Sequence, residues 1–305
     1  MLFTPPAARA AAPADCPPAA QAPSVDQHTA AGREARDRGF LWRIERAGRS
    51  SYLYGTIHVA QAEWMLPGPK VSAAIAASDS VALEIDLLDA DIARRLAAGM
   101  RALPDERPPA ALESRLQALI VAECLPLDAL SAISPSMQLA TLTTLAARRD
   151  GLDPAFAIDG VLAVLARVLG KPVISLETPE MQIALLRGDP RTADERLTSG
   201  LADLEQGKVR PMLLRMARAW DEGRADELEH YEAWCECVDT EADRAELVRM
   251  LDDRNPALAD RIAALHDGGT RVFAAVGALH LFGAHGLPSL LARRGFTVER
   301  VEFVR

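Results

Sequence analysis

No stretch of this chain approaches the roughly 18 consecutive uncharged apolar residues of a membrane-crossing helix, so no transmembrane segment is expected. An excess of positive charge is missing too. The 34 Lys and Arg stand against 43 Asp and Glu, giving a net charge of −9. That argues against nucleic acid as a partner, because such a surface needs a basic stripe. No His-Glu-x-x-His occurs, which excludes a zincin helix. Cysteine is scarce, with four residues at 16, 124, 235 and 237. What the chain does have is core material. Its 305 residues are 49% hydrophobic and its mean hydropathy is close to zero, as in a globular protein of one large domain or two small ones.

Residues 1–38 stand apart from the rest. Met1 to Val25 is mostly Ala and Pro with a single acid, Asp15. Prolines at 5, 6, 13, 17, 18 and 23 oppose a helix or a central strand, and disorder is expected. Ala8-Arg9-Ala10 has the small-x-small form of an export cleavage site, but the basic leader and apolar segment of a signal peptide are missing. The segment reads either as a signal remnant or as a plain tail. The cysteines favour export. Cys235-Glu236-Cys237 is too tight for an easy mutual disulfide, so one sulfur is expected to bond Cys124 and the other Cys16, in an oxidising compartment. The rival is a soft metal site with His230. Export implies a periplasmic or secreted protein, and a complete N-terminus would imply a cytoplasmic one.

From residue 39 to 305 the pattern is that of a single α/β domain. Phe40 to Arg46 and Ser51 to Gly55 read as a hairpin turning around Gly48-Arg49-Ser50. Lys70 to Ala77 is a short helix. Ser80 to Leu88 alternates, with Val81, Leu83, Ile85 and Leu87 on one face and Ala82, Glu84 and Asp86 on the other. About 91–255 is mainly helical, with apolar residues at three- and four-residue spacing in Arg94 to Met100, Ala110 to Glu123, Ser134 to Arg149 and Asp159 to Leu169. Pro172 to Leu176 interrupts it as a short strand. Helices resume over Pro179 to Leu186, Ala193 to Gln206, Val209 to Glu222, Ala225 to Trp234 and Thr240 to Asn255. The arginines and apolar residues of Arg210 to Trp220 make an amphipathic packing helix. A helix from Asn255 to about His266, a strand ending at Gly277, a helix over Leu287 to Arg293 and a closing strand over Phe296 to Phe303 complete the chain. The predicted fold is a mixed sheet built from two related strand–Gly-x-x-His–helix–strand halves, with a long helical insertion.

Those halves carry the candidate chemistry. Ser51-Tyr52-Leu53-Tyr54-Gly55-Thr56-Ile57-His58 and Val272-Phe273-Ala274-Ala275-Val276-Gly277-Ala278-Leu279-His280 each run an apolar strand into Gly-x-x-His. Folded together, they would present two imidazoles to one pocket. Imidazole serves as a neutral metal ligand or a proton carrier. Glu84, an acid among Val, Leu and Ile, needs a partner or an ion. His58, Glu84 and His280 with an open coordination position would suit a water-activating divalent ion. Without metal, Glu84 would orient His58 as a general base. Arg254 offers a fork for a carboxylate or an oxyanion, or else bonds backbone carbonyls at a helix end. Glu177 stands between a strand and a helix, suited to a site or to a helix N-terminus. Asp86 is a second ligand or an ion-pair partner, and His285 a loop residue. Gly55 and Gly277 would allow close approach or a positive φ. Tyr54 lines the pocket or packs in the sheet.

Several of these segments, in order, resemble the TraB/GumN family, which is related to the Tiki proteases. They are Leu41-Trp42-Arg43-Ile44, Tyr52 to Val59, Ser78 to Asp86, Leu176-Glu177-Thr178 with Gln182, Arg254-Asn255, and Val276 to Leu281 with Gly286-Leu287. The resemblance spans roughly Phe40 to Phe303. It implies a metal-dependent hydrolase, a peptidase among the options, with His58, Glu84 and His280 at its active site and manganese, cobalt or zinc as the ion. The wider superfamily resembles erythromycin esterases and haem-binding ChaN-like proteins. The alternative it implies is a non-catalytic binder or regulator of a peptide signal, haem or a sugar fragment, because TraB-like members are linked to peptide pheromone shutdown. Assistance in polysaccharide export is a third reading, since GumN-type genes accompany such systems.

Overall fold

The computed structural model describes residues 16–18, 20, 21, 32, 35–104 and 106–303. The expectation of a disordered tail falls largely outside the described residues.

Six strands form one mixed sheet in the order β4-β3-β5-β2-β1-β6. β1 (Phe40–Arg46) and β2 (Arg49–Thr56) make the expected antiparallel hairpin. Its turn is Ala47-Gly48, one position earlier than the glycine-centred reading. Both residues have positive φ, 52° and 71°, as a two-residue type I′ connection demands. β3 (Ser80–Leu83), β4 (Val173–Ser175) and β5 (Val272–Gly277) run parallel to one another and to β2. β6 (Thr297–Arg300) closes the other edge, antiparallel to β1.

β3 is shorter than its alternation implied. It ends at Leu83, and all four of its residues are buried. A parallel strand flanked on both sides is covered on both faces, so alternation is a poor guide to its length. Glu84 therefore lies just beyond the strand, not on one of its faces.

Of the two helices expected over Thr240 to Asn255 and from Asn255 to about His266, the first stops early, at Met250. Glu241–Met250 and Asn255–Asp267 are separate helices. Pro256 is tolerated in a first turn but not in a helix interior, so the chain must restart there. The restart turns Arg254 and Asn255 towards the sheet. Ala225 to Trp234 likewise breaks into a helix over Ala225–Glu229 and a 3-10 turn.

The main core gathers the sheet, the helices Pro69–Ala77, Ile158–Val168, Asn255–Asp267 and Leu287–Arg293, and Trp220. A second apolar cluster of Leu112, Leu116, Ile120, Leu142, Leu197 and Leu201 lies within the helical region. Trp220 joins the helical region to the sheet, its indole N–H donating to the Gly55 carbonyl at 2.7 Å. Gly39 makes room for it: a β-carbon there would stand 2.5 Å from Trp220 Nε1, and the backbone has φ 71°. The helix Val209–Asp221 packs as expected, with Arg210 paired to Asp150 and Arg215 to Glu227.

The disulfides are Cys16–Cys124 and Cys235–Cys237, which corrects the expected pairing. Glu236 takes a positive φ of 52°, and the turn brings the Cys235 and Cys237 Cα atoms to 5.1 Å, within the range a disulfide spans. Both sulfurs are thereby used, so the soft metal site with His230 does not form. Among the described residues no helix is long and apolar enough to cross a membrane.

Candidate active site

The two Gly-x-x-His segments meet because their strands are adjacent and parallel. β2 pairs with β5 so that Gly55 faces Val276 and Thr56 faces Gly277. β3 lies on the other side of β5, with Leu83 opposite Ala275. His58, Glu84 and His280 therefore all leave the carboxyl ends of neighbouring parallel strands, where open α/β sheets form their binding crevice. The loop bearing His58 is pinned by the segment before the helix Ile158–Val168. Ile158 donates to the Ile57 carbonyl at 3.1 Å, and Asp153 N to Ala60 O at 2.9 Å. His280 rides on the 3-10 turn Ala278–Leu281.

Gly277 marks the centre. A β-carbon on it would lie 3.3 Å from Glu84 Oε1, 3.6 Å from His280 Cδ2 and 3.7 Å from His58 Nε2. Its φ of −49° is open to any residue, so it serves by leaving space rather than by a special backbone angle. Gly55 does the same one layer below, where a β-carbon would meet Ala278 at 3.1 Å.

Each imidazole is held by its Nδ1. His58 Nδ1 lies 3.1 Å from Asp159 Oδ1, and the ring is 62% exposed. His280 is buried, with Nδ1 at 2.7 Å from Asn255 Oδ1. The Asn255 amide donates to the His285 carbonyl at 2.9 Å. That fixes its oxygen towards His280, puts the proton on Nδ1 and leaves the Nε2 lone pair to accept from Arg254 Nη1 at 3.2 Å. Glu84 accepts from the Gly277 amide at 2.7 Å through Oε1 and from Arg254 Nη2 through Oε2.

These contacts set the charges. Asp159 raises the His58 pKa, to about 9, against the opposing effect of burial, and its hydrogen bond and Glu84 add to the rise. Exposure of the ring screens part of that effect. Burial lowers His280 to about 4, so it is neutral at pH 7. Burial opposes the Glu84 carboxylate, yet His280, Arg254 and His58 together outweigh it and hold its pKa down to about 2. Since His280 is uncharged at neutral pH, Arg254 and His58 are the cations that act there.

Arg254 is saturated. Nε donates to Glu177 Oε1 at 2.8 Å, Nη2 to Glu84 Oε2 and to Glu177 Oε2 at 2.6 Å, and Nη1 to Met250 O at 2.9 Å and to His280. No guanidinium proton is left for a substrate carboxylate. Glu177 stands behind it and also accepts from Gln182. Tyr54 packs in the sheet, 5.7 Å from the Phe273 ring, with its hydroxyl donating to the Arg38 carbonyl at 3.0 Å. Asp86 pairs with Arg167 at 2.6 Å. Of the partners of the two histidines, Asp159 has no sequence signature as a site residue, since it reads as an acid opening a helix, whereas Asn255 stands in the Arg254-Asn255 segment that resembles the family.

Two imidazoles and a carboxylate have the chemistry of a divalent-metal site, and His280 Nε2 and Glu84 Oε1 are 3.8 Å apart. The arrangement does not fit an ion, however. Among the described residues no three His, Cys, Asp or Glu side chains are grouped to hold one, and Arg254 already occupies the His280 lone pair and one Glu84 oxygen. Two cavities lie away from this crevice, in the helical region. One of about 430 Å³ is lined by Leu103, Glu106, Leu116, Leu127 and Gln138. The other, about 170 Å³, is lined by Leu119, Glu123, Arg149 and Arg210.

These features define an α/β protein with a His/Glu/His cluster, braced by arginine, at the carboxyl edge of a mixed sheet. The chain belongs to the TraB/PrgY/gumN family, whose model matches residues 40–300. No curated protein and no solved structure matches it.

Proposed function

We propose that this protein is a hydrolase of ester or amide bonds in which His58 moves the proton. The observation that carries the reading is the convergence of Glu84 Oε1, His280 Cδ2 and His58 Nε2 over the bare α-carbon of Gly277, each 3.3–3.7 Å from where a β-carbon would stand. A water lodged between Glu84 and His58, on the side that Gly277 leaves without a side chain, would meet a carboxylate oxygen and an imidazole nitrogen. In its neutral form His58 donates through Nδ1 to Asp159 and receives the water proton on Nε2. As imidazolium it passes that proton to the leaving group once the scissile bond breaks. The Glu84 carboxylate stabilises the intervening imidazolium. Arg254 and Asn255 position Glu84 and His280 without touching substrate. The two disulfides suit an oxidising compartment, which supports a periplasmic or secreted location.

The test is turnover of a panel of p-nitrophenyl esters and a fluorogenic peptide library by the purified protein. Assays run with chelator and with added manganese, cobalt or zinc. Turnover lost in His58→Ala and in Glu84→Gln, and unchanged by chelator, supports the proposal. Full activity in His58→Ala, or tight ligand capture without turnover, overturns it. Loss of turnover on chelation would return the site to the metal-dependent scheme.

A further inference from the structure

We infer that Arg254 is the resident cation of a three-donor site and that its guanidinium keeps divalent metal ions out. This rests on the metal-free reading above. Three side chains from distant parts of the chain converge on one guanidinium: Glu84 follows β3, Glu177 follows β4, and His280 follows β5. Both carboxylates and the Nε2 of His280 reach it within hydrogen-bonding distance.

The burial makes a cation obligatory. The Glu84 and Glu177 side chains are only 11% and 4% exposed, and Arg254 only 12%. Two carboxylates cannot stay charged in such a place without a counter-ion. Arginine suits it because its five donors match two carboxylates, a carbonyl and an imidazole lone pair at once. A divalent ion would need the same lone pairs at about 2.0–2.2 Å, and it would meet a positive charge already in place. Take the guanidinium away, and two carboxylates and a neutral imidazole face a vacated volume. Those are the donors a borderline or hard divalent ion prefers. Glu177, left outside the His58/Glu84/His280 set, becomes one of them.

The experiment compares wild type with Arg254→Met and Arg254→Lys, each stripped with chelator and dialysed. Each is titrated calorimetrically with manganese, cobalt and zinc at pH 7, with thermal melts in parallel. The expected result is one ion per chain in Arg254→Met, bound at least tenfold more tightly than by wild type. At about 100 times its dissociation constant, the ion should raise the Arg254→Met Tm by roughly 5 °C. Arg254→Lys, which keeps a positive charge, should gain none of this. Adding Glu177→Gln to Arg254→Met should weaken the new site at least tenfold. One tightly held ion in wild type, or a folded Arg254→Met that gains no affinity, overturns the inference. Should Arg254→Met fail to fold, Arg254→Ser replaces it, and refolding only in the presence of ion counts as support. Ion uptake is read without substrate, so a chain that hydrolyses nothing still returns an answer.

Discussion

Replacing Gly277 with alanine tests the bare α-carbon at the centre of the site. The added methyl would stand 3.3 Å from Glu84 Oε1 and 3.7 Å from His58 Nε2. It crowds the gap between Glu84 and His58, where the proposed water would sit, and pushes the carboxylate back by a few tenths of an ångström. The backbone does not object, because φ −49° and ψ 134° are open to alanine. Folding should be nearly unaffected: the lost freedom of the unfolded chain favours the variant by about 0.4–1 kcal/mol, and the tight contact offsets this. Catalysis should suffer far more. Exclusion of the water together with the shifted carboxylate should cost up to about 100-fold, the loss a 1 Å misplacement brings, or roughly 2.7 kcal/mol of transition-state stabilisation. The assay is kcat/KM on the best ester or peptide of the panel, alongside a thermal melt of the same preparation. A Gly277→Ala protein that melts like wild type and works within twofold of it would refute the placement of the chemistry beside Gly277.

Asp159→Asn should lower the His58 pKa from its raised value near 9 towards the ordinary imidazole range. If neutral His58 is the base, the rising limb of the pH–rate profile should move to lower pH, and NMR titration of the ring should move with it. The stability sign follows from the same shift. The raised folded pKa stabilises fully below the unfolded value near 6.5 and is lost as pH rises through about 9, so wild type should lose its advantage over Asp159→Asn across that window in denaturant titrations. Asn255→Ala removes the acceptor for buried His280 Nδ1 and the donor to the His285 carbonyl, and should cost about 1–3 kcal/mol by urea unfolding. Ala47→Asn should stabilise the hairpin by roughly 1 kcal/mol in the same assay, because alanine at φ 52° bears a penalty that asparagine largely escapes.

The two Gly-x-x-His units were legible because apolar runs that stop at glycine are local patterns. Their union depends on β2 lying parallel beside β5, which no window of the sequence contains. Glu84 stands out in the sequence as a charged residue inside a strand, whereas β3 ends before it and the acid sits at the strand's mouth. In the sequence alone Arg254 fits a substrate clamp or a helix-end residue. The saturation of all its donors by Glu84, Glu177, Met250 and His280 depends on four separate chain segments and leaves no trace in spacing. Asp159 stayed hidden because an acid at the start of a helix already has an ordinary explanation in the helix dipole. The Cys235–Cys237 bridge is hidden in the sequence because two positions apart is too tight only for an extended backbone, and Glu236 departs from it.

The contact between β2 and β5 joins residues about 220 positions apart, as where Val272 N meets Ser51 Oγ. A ribosome making this protein must thread almost the whole polypeptide before the second histidine can find the first. Until then the nascent chain holds scattered functional groups and no reactive centre. The cluster is complete only when the last large fragment docks, so its assembly is set by topology.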